Sequence, residues 1–513
     1  MNLTAEHGYS MVAVMLVMLV TSILAGAAFS AVGGDIPFAR AAQDRKQSYA
    51  AAEAGIEYYL YQLARDNDYW ASCADVPGPA EGQPSPVNPA GVDESLRTWR
   101  NVTGTDARYS IELLPANDEA QCDSARPAET MLDASSGTFR VRSTGVSRGI
   151  RRSVVTAFRR TSFLDYLYFT DFETLDPAAY SGQSNRIWAQ ENCAAHRAQR
   201  AAGCSEITFP DWDAINGPLH TNDDLLTCGS PDFGRGPEDK IEIGGPAENG
   251  WSSNCAGEPS FVGTKRHPAA HLAVPTSNER LRQVADDSYV FYGQTTIRFD
   301  GTSTMQVTTH PNGDDTAVTE TLSLPPNGVI FVEHNNTAQG TCGTIRTPLE
   351  QRYDDSKRCA ILTVSGTYPK SMTLASRSDI LIDGDLERSG DVVLGLIADN
   401  FVRVKHQVSN CNNVSSGTLH DVHIEAAILT LAHSFIVDNY SCGNPLGELK
   451  VDGAIAQRFR GPVGRFSGTT LLHGYVKNYN YDDRLRYRNP PFFLDPVSAS
   501  WRVIRSNEQV PAA

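Results

Sequence analysis

The sequence predicts a mainly β protein that begins with one long α-helix. Three observations predict this class. Residues 9–34 carry no charged side chain, and residues 38–66 continue as an Ala-rich stretch with charges spaced along it. The second half of the chain is a succession of short apolar runs, each ended by Gly, Asn or Asp. The first two patterns are typical of helix and the third is typical of short strands and turns.

Length and charge limit the organisation and the partners. The chain has 513 residues, with 44 Lys plus Arg against 60 Asp plus Glu, so its net charge is −16. A typical domain has about 100–200 residues, so at least two folding units are expected. The mean hydropathy of −0.32 excludes a polytopic membrane protein. The acidic balance repels phosphate backbones, so nucleic acid is not a predicted partner.

The uncharged segment Tyr9–Gly34 is long enough to cross a membrane as a helix. About 20 apolar residues span a bilayer core, and we place the predicted transmembrane part at residues 11–32. A cleaved secretory signal is one alternative, but its apolar core usually has about 7–15 residues and follows a positive region. Here the preceding residues, MNLTAEHG, contain no Lys or Arg. A plain signal anchor is the second alternative.

The Ala-rich stretch predicts that the helix continues to about residue 70 as an amphipathic helix. A kink in the continuing helix is expected near Gly33, Gly34 and Pro37. Beyond it, apolar residues recur mostly at intervals of three or four, which forms one apolar face. The residues of this face are Tyr49, Ala52, Ile56, Tyr59, Leu60 and Leu63.

This N-terminal layout resembles type IV pilins, in particular PilX-like minor pilins. The matching features are a leader that ends in Gly8, an aromatic start at Tyr9, the long apolar helix, and the stretch AAEAGIE at residues 51–57. The resemblance implies cleavage by a prepilin peptidase between Gly8 and Tyr9. It also implies that the helix packs against other pilin subunits and in the lipid bilayer. Two residues depart from the pattern: His7 stands where Lys or Arg is usual, and Ala13 stands where major pilins carry Glu.

The Ala13 departure has a physical consequence for where such a subunit fits. A carboxylate within a bilayer is costly, and in the family it pairs with the N-terminal ammonium of a neighbouring subunit. Ala13 cannot form that pair. The resemblance therefore implies a tip or low-copy subunit rather than a repeating one.

Four segments make up the predicted organisation. A Pro-, Gly- and Ser-rich loop over residues 71–100 separates the helix from the first strand-like runs. An aromatic and acidic stretch from Leu164 marks the start of the large body. In chain order, we predict a leader (1–8), the long helix (9–70), a small pilin-like β domain (71–162) and a large β-rich body (163–513).

Short Gly-terminated repeats in the second half predict a parallel β-solenoid, or β-helix. They are FDG at 299–301, VSG at 364–366, IDG at 382–384 and VDG at 451–453. Several strand-like runs are apolar at consecutive positions, which is typical of strands buried in a parallel stack. A Gly with a positive φ would turn the chain at each corner. A β-sandwich is the alternative.

The ten cysteines predict disulfides and an oxidising compartment. No CxxC pair is present, so neither a zinc ribbon nor a redox motif is predicted. Pairing sequence neighbours closes each loop within one segment, and it places the body outside the membrane. These neighbour pairs are Cys73–Cys122, Cys193–Cys204, Cys228–Cys255, Cys342–Cys359 and Cys411–Cys442.

Polar clusters were compared with the arrangements that catalysis requires. The densest comprises His220, Asn222, Asp223 and Asp224, and its two aspartates fit a cation site and a strand-end turn equally well. Asp421 and His423 share a face of a strand, and Asp482 and Asp483 precede Arg484. Four tyrosines offer rings for glycan stacking or for a packed edge: Tyr475, Tyr479, Tyr481 and Tyr487. No catalytic residue, metal ligand or cofactor is predicted.

The sequence therefore predicts a non-catalytic minor pilin or pilus-tip-like protein. It is expected to cross the cell membrane once and to present an extracytoplasmic body. The expected partners are other pilin subunits, prepilin peptidase, the lipid bilayer and surface glycans. One alternative function is a membrane-anchored carbohydrate-active enzyme or glycan-binding β-helix protein. Another is a plain anchored structural protein that never assembles.

Overall fold

Two units divide the chain by their internal contacts. A computed structural model describes residues 9–66, 68–73, 98–116, 119, 122–133, 136–253, 255–411, 413–414, 419–497 and 501–510. The first unit holds the described residues up to Leu132, Phe139–Phe158, and those from Arg502 onward. The second holds Asp133–Thr138 and Arg159–Trp501. The predicted leader (1–8) and most of the predicted loop, residues 74–97, lie outside the described residues.

Helix α1 (Tyr9–Arg65) runs for 57 residues and is continuous across the position of the expected kink, as the sequence predicts. Its C-terminal part buries one stripe of side chains at intervals of three and four, as the sequence pattern indicates. The buried apolar residues of this stripe are Ala51, Ala52, Ile56, Tyr59 and Leu63. Glu53 and Glu57 point to solvent between them.

One sheet of five strands forms the first unit's β structure. The strands are β1 (Arg100–Asn101), β2 (Arg108–Leu114), β3 (Thr138–Ser147), β4 (Ile150–Arg160) and β33 (Trp501–Gln509), in the order β1-β2-β3-β4-β33. The turn between β3 and β4 has positive φ at Arg148 (45°) and Gly149 (86°), which is typical of a tight hairpin. The short helix α2 (Pro127–Met131) lies between β2 and β3.

Small residues let α1 lie directly on this sheet. A Cβ at Gly145 of β3 would stand 2.0 Å from the Ser48 carbonyl oxygen and 2.5 Å from the Ala52 amide nitrogen. A Cβ at Gly55 would stand 2.1 Å from the Ser143 hydroxyl. The AAEAGIE stretch is therefore a packing surface, since its small residues meet the glycine and serine of β3.

The second unit contains most of the strands. Its helices are α3 (Gln183–Asn192) and α4 (Glu279–Val284). One-turn 3₁₀ helices occur in the two units at Tyr69–Ser72, Phe163–Asp165, Pro177–Ala179, Arg197–Gln199, Asp287–Tyr289, Pro348–Glu350 and Asp483–Arg486. The strands are β5 (Tyr168–Leu175), β6 (Phe209–Pro210), β7 (Ala214–Asn216), β8 (Leu219–Thr221), β9 (Leu225–Cys228), β10 (Asp232–Phe233), β11 (Lys240–Ile243), β12 (Trp251–Ser253), β13 (Ser260–Phe261), β14 (Thr264–Arg266), β15 (Val290–Tyr292), β16 (Thr295–Asp300), β17 (Thr304–Thr309), β18 (Val318–Ser323), β19 (Val329–Glu333), β20 (Ile361–Tyr368), β21 (Met372–Ser376), β22 (Asp379–Arg388), β23 (Leu394–Ala398), β24 (Val402–Val404), β25 (Val408–Asn410), β26 (Asn413–Val414), β27 (Val422–Ile424), β28 (Ala427–Thr430), β29 (Phe435–Val437), β30 (Pro445–Arg460), β31 (Gly464–Ser467) and β32 (Thr470–Tyr481).

Parallel pairing dominates this unit. One ladder joins β14-β11-β8-β5-β30-β28-β23-β21-β19-β15, and all its pairs are parallel. Equivalent apolar side chains lie over one another along it and are buried, which forms the core of the unit. They run Ile241, Leu219, Tyr168, Ile455, Ile428, Leu396, Leu374 and Ile330.

The chain enters and leaves this ladder at its middle. Strand β5 pairs with β8 on one side and with β30 on the other. In chain order, the strands from β5 to β14 therefore extend from the middle of the ladder to one end. The next strand, β15, lies at the opposite end, and the later strands return to the middle at β30. This order places the connection between β14 and β15, residues 267–289, alongside strands that are remote in sequence.

The glycines of the short repeats differ in their role from the prediction. Only Gly301 and Gly366 have a positive φ among the four, at 81° and 104°. Gly366 and Gly453 lie inside strands, and a Cβ at Gly453 would stand 1.9 Å from the Ala426 carbonyl oxygen. Gly453 is thus required by the close approach of the neighbouring backbone and not by turn geometry.

The predicted class, a mainly β protein with one long N-terminal helix, is confirmed by these elements. Antiparallel pairs occur as well, at β16-β17-β18 and at β31-β32. They extend the parallel ladders as hairpins.

Candidate functional site

The N-terminal half of α1 exposes an apolar surface. All described side chains from Met11 to Ala27 are solvent-exposed, and the large ones between Met11 and Leu24 are 44–66% exposed. Tyr9 is the first residue of the helix, while its own side chain lies outside the described set, as do Gly8 and the side chains of residues 28–37. Exposed apolar area of this extent indicates a binding surface.

The described residues were compared with the requirements of a bilayer-spanning helix. None of their helices combines enough length with enough apolar character to cross a membrane.

A cleft of about 870 Å³ lies in the second unit. Trp212 and Phe466 line it, with ring centroids 5.4 Å apart, and Trp212 is 38% exposed. The Cys228–Cys255 disulfide forms part of the wall. Sequence reasoning did not single out Trp212, because nothing in its local sequence shows that it meets Phe466.

The carboxylates that line this cleft are paired. The Lys477 ammonium donates to Asp213 Oδ2 at 2.6 Å, and burial lowers the pKa of Lys477. Asp211 Oδ1 accepts from the Ser230 amide at 2.6 Å. Glu206 lies 3.3 Å from Arg197. Each of these three carboxylates is therefore held by a hydrogen bond or an ion pair.

The predicted cluster His220, Asn222, Asp223 and Asp224 is buried and divides into two roles. The Asp223 carboxylate connects separate segments, because it accepts hydrogen bonds from the backbone amides of Glu173, Arg197 and Asp224. Asp224 accepts from the Ala247 amide. Both aspartates therefore hold backbone segments in place, which is the structural one of the two alternatives that the sequence left open.

His220 and Asn222 belong to a hydrogen-bonded chain that leads to Asp171. The Asn222 amide donates to Asp171 Oδ1 at 2.9 Å, and its oxygen faces His220 Nε2 at 3.1 Å. The other ring nitrogen of His220 lies 3.1 Å from Glu242 Oε2, which also accepts from the Tyr166 hydroxyl. Burial alone would raise the pKa of Glu242. The contacts with His220 and Tyr166 outweigh burial and lower this pKa to about 2. This chain fixes the position of the Asp171 carboxylate.

Two histidines approach the same carboxylate oxygen. The Nε2 atoms of His196 and His271 each lie 3.5 Å from Asp171 Oδ1, and the three ligand atoms lie within 4.8 Å of one another. Asp171 belongs to the aromatic and acidic stretch that begins at Leu164, in which the spacing of the acidic residues matches no metal-binding loop. The two histidines carried no local signal, because they lie in loops far from Asp171 in sequence.

A second group, His423, Glu425 and Asp452, is an ion-pair network. His423 Nε2 lies 2.9 Å from Asp452 Oδ2, which Lys450 also contacts at 2.8 Å. Glu425 pairs with Arg388. The predicted neighbour of His423, Asp421, accepts instead from the Glu448 amide.

The other predicted polar and aromatic residues lie mostly in structural roles. Asp482 pairs with Arg484, and Asp483 pairs with Arg235. Three of the four tyrosines are buried: Tyr475, Tyr479 and Tyr481 are 0–5% exposed. Tyr487, 66% exposed, is the one of the four whose ring is open to solvent.

The ten cysteines form five disulfides, and each joins two neighbours in sequence. The pairs are Cys73–Cys122, Cys193–Cys204, Cys228–Cys255, Cys342–Cys359 and Cys411–Cys442. Their loops span 11 to 49 residues, so each staples a local segment.

Comparisons with known proteins give little beyond the structure itself. No model of a known protein family matches the chain, and no curated protein matches it. Among solved structures, the crystal structure of the competence-associated pilin ComZ from Thermus thermophilus aligns with a TM-score of 0.26 and 13% identity. The alignment covers 91% of this chain and 97% of that one. A TM-score this low carries no argument about fold or function, and the narrower likeness to PilX-like pilins has no support from these comparisons.

Proposed function

We propose that this protein is a non-catalytic, membrane-anchored pilin-like subunit. The observation that carries the proposal is the division of α1 into two halves with opposite surroundings. Residues 11–27 expose apolar side chains, while the half from Ala51 to Leu63 packs on the sheet of the first unit. A type IV pilin needs both halves, because one inserts into a membrane or a filament core and the other holds a globular domain.

The length of the helix supports this division. At about 1.5 Å per residue, 57 residues extend for about 86 Å, of which residues 11–27 account for about 26 Å. The exposed apolar half is therefore available to lipid or to the same helix of neighbouring subunits. Apolar side chains exposed at this density are unfavourable in water, which supplies the driving force for both.

For the second unit we propose a parallel β-solenoid that projects from the membrane. The parallel ladders and the buried column of aliphatic residues along them support a solenoid over the alternative β-sandwich. The five disulfides support an oxidising, extracytoplasmic location. Residue Ala13 supports a minor or tip position rather than a repeating one.

Polar substitutions in the exposed half of α1 test the proposal. The double variant Leu16→Asp/Leu19→Asp is compared in the native host with Ala42→Asp/Gln43→Asp, which changes exposed positions farther along the same helix. We expect the first variant to leave the membrane and pilus fractions and the second to remain in them. Retention of Leu16→Asp/Leu19→Asp in both fractions would contradict the proposal. The thermal unfolding of both proteins checks that neither change disturbs the globular units.

A second candidate function, glycan binding, is supported by the cleft alone. An exposed tryptophan beside a second ring, above paired charges, is an arrangement that stacks on sugar rings. Soluble oligosaccharides should quench or shift the fluorescence of the native protein, and Trp212→Ala should abolish the change. An unchanged response in Trp212→Ala would remove this candidate.

A further inference from the structure

Three separate segments of the second unit meet at Asp171. Asp171 lies on β5, in the middle of the parallel ladder. His196 lies in the loop that the Cys193–Cys204 disulfide closes, and His271 lies in the long connection between β14 and β15. Each histidine presents Nε2 to the same carboxylate oxygen at 3.5 Å.

This distance fits shared coordination better than hydrogen bonding. An N–H···O hydrogen bond has a length of about 2.7–3.2 Å. Two ligand atoms that each lie about 2.1 Å from one tetrahedral ion are about 3.4 Å apart. The buried Nε2 of His196 makes no hydrogen bond among the described residues. The two separations between a histidine nitrogen and the Asp171 oxygen are therefore those of ligand atoms around a small cation.

The carboxylate is held ready for that role. Asp171 is 5% exposed, and the Asn222 amide donates to it at 2.9 Å. Asn222 also exchanges two hydrogen bonds with the backbone of Leu272, the residue next to His271. One asparagine thus positions both the carboxylate and the segment that carries a histidine, as outer partners do around bound metals.

Solvent reaches the site through His271, whose side chain is 53% exposed, whereas Asp171 is buried. Metal ions bind the deprotonated form of a carboxylate and the neutral form of an imidazole.

We propose that Asp171, His196 and His271 bind one divalent transition-metal ion, with zinc as the expected occupant. Two imidazoles with one carboxylate favour such an ion over calcium or magnesium, which prefer oxygen ligands. The ion ties β5 to the disulfide-closed loop and to the connection that crosses the unit. Its remaining coordination position is open to water or to a donor group from a partner.

The ion-pair group around His423 supplies a matched control. It also contains a histidine and two carboxylates, but His423 Nε2 lies 2.9 Å from Asp452, a hydrogen-bond distance, and Lys450 and Arg388 already neutralise the carboxylates. A histidine removed there should not alter metal binding.

Metal titration of the full chain tests the proposal. The protein is produced without a polyhistidine tag, stripped with a chelator in detergent and titrated with Zn²⁺ by calorimetry and with Co²⁺ by visible absorption. We expect one ion per chain and a tetrahedral-type Co²⁺ spectrum. His196→Ala and His271→Ala should each weaken binding by at least about 100-fold, whereas His423→Ala should leave it unchanged.

Two results would overturn the proposal. One is the absence of stoichiometric binding by the unaltered chain. The other is binding that survives in both His196→Ala and His271→Ala. Because His271 is half exposed, the His271→Ala variant is expected to fold, and its thermal unfolding in chelator should match that of the unaltered protein. Added Zn²⁺ should then raise the unfolding temperature of the unaltered protein and of His423→Ala only.

Discussion

The close approach of α1 to β3 predicts that one added methyl group destabilises the first unit. In Gly145→Ala the new Cβ would stand 2.0 Å from the Ser48 carbonyl oxygen and 2.5 Å from the Ala52 amide nitrogen. Both are backbone atoms of the helix, so neither can rotate away. Helix and strand must therefore separate, and the buried contacts of Ala52 and Ile56 loosen with them.

The size of the effect follows from the cost of overpacking. Extra carbon atoms in a packed core lower the free energy of unfolding by about 1–3 kcal/mol. Because the added methyl group clashes with backbone atoms of the helix, we expect Gly145→Ala to lose about 2 kcal/mol or more. For a domain of about 100 residues, 1 kcal/mol shifts the unfolding temperature by about 4–8 °C. We expect the transition of the first unit to fall by about 10 °C.

Thermal unfolding and hydrogen exchange of the full chain in detergent measure this effect. Gly236→Ala is the matched control, since a Cβ there meets nothing within 4 Å. Amide protection over residues 44–63 should decrease in Gly145→Ala only. The packing account is refuted if Gly145→Ala unfolds at the same temperature as Gly236→Ala and keeps its protection.

Three further predictions concern the second unit. Arg403 is buried between Asp379 and Asp438, at 2.9 Å from each. Arg403→Met should therefore lower the free energy of unfolding, measured in urea, by about 3–5 kcal/mol, and a loss below about 1 kcal/mol would contradict this. Burial raises the pKa of Asp438 to about 6, above its unfolded value of about 3.9, so the folded state binds this proton more tightly. The contribution of Asp438 to the free energy of unfolding should therefore fall by about 3 kcal/mol as pH rises from about 4 to 6, so the unaltered protein should lose stability relative to Asp438→Asn over this range; equal pH slopes of the two proteins would argue against the assignment. Replacing Cys193 and Cys204 by Ser opens an 11-residue loop and should lower stability by about 2–3 kcal/mol, as measured by unfolding under non-reducing conditions; an unchanged midpoint would oppose this.

Local pattern was sufficient to predict the individual elements. The stripe of α1 follows from its three- and four-residue spacing, and runs such as Leu394–Ala398 are strands because consecutive β-branched and aliphatic residues bury both faces. The disulfide partners also follow local order, because each bridge closes a loop within one segment. In all these cases the deciding interactions lie close together in sequence.

The order of the strands could not be predicted in the same way. Strand β5 pairs with β30, and the residues that meet, such as Phe169 and Ala456, are far apart in sequence and have no mutual signal. Similarly, β33 lies beside β4 in the first unit although it is the last strand of the chain. The irregular spacing of the Gly repeats follows from inserted segments, because β16 and β20 pair directly although the antiparallel strands β17 and β18 lie between them in sequence.

The candidate metal site depended on the same long-range order. Asn222 was singled out from the sequence as part of a dense polar cluster, and the structure shows that it is buried. His196 and His271 were missed because loops bring them in, and loop sequences do not specify which strand they will cover. The burial of the Arg403 guanidinium could not be predicted either, since its two partners, Asp379 and Asp438, come from other segments of the chain.

The N-terminal residue of the mature protein tests the central claim most directly. The account requires that the exposed apolar half of α1 is retained and begins the mature chain, as in a pilin. Mass spectrometry of the protein purified from its native host should find Tyr9 as the first residue. An intact Met1, or a chain that begins beyond Ala27 and so lacks the apolar half, would contradict the account.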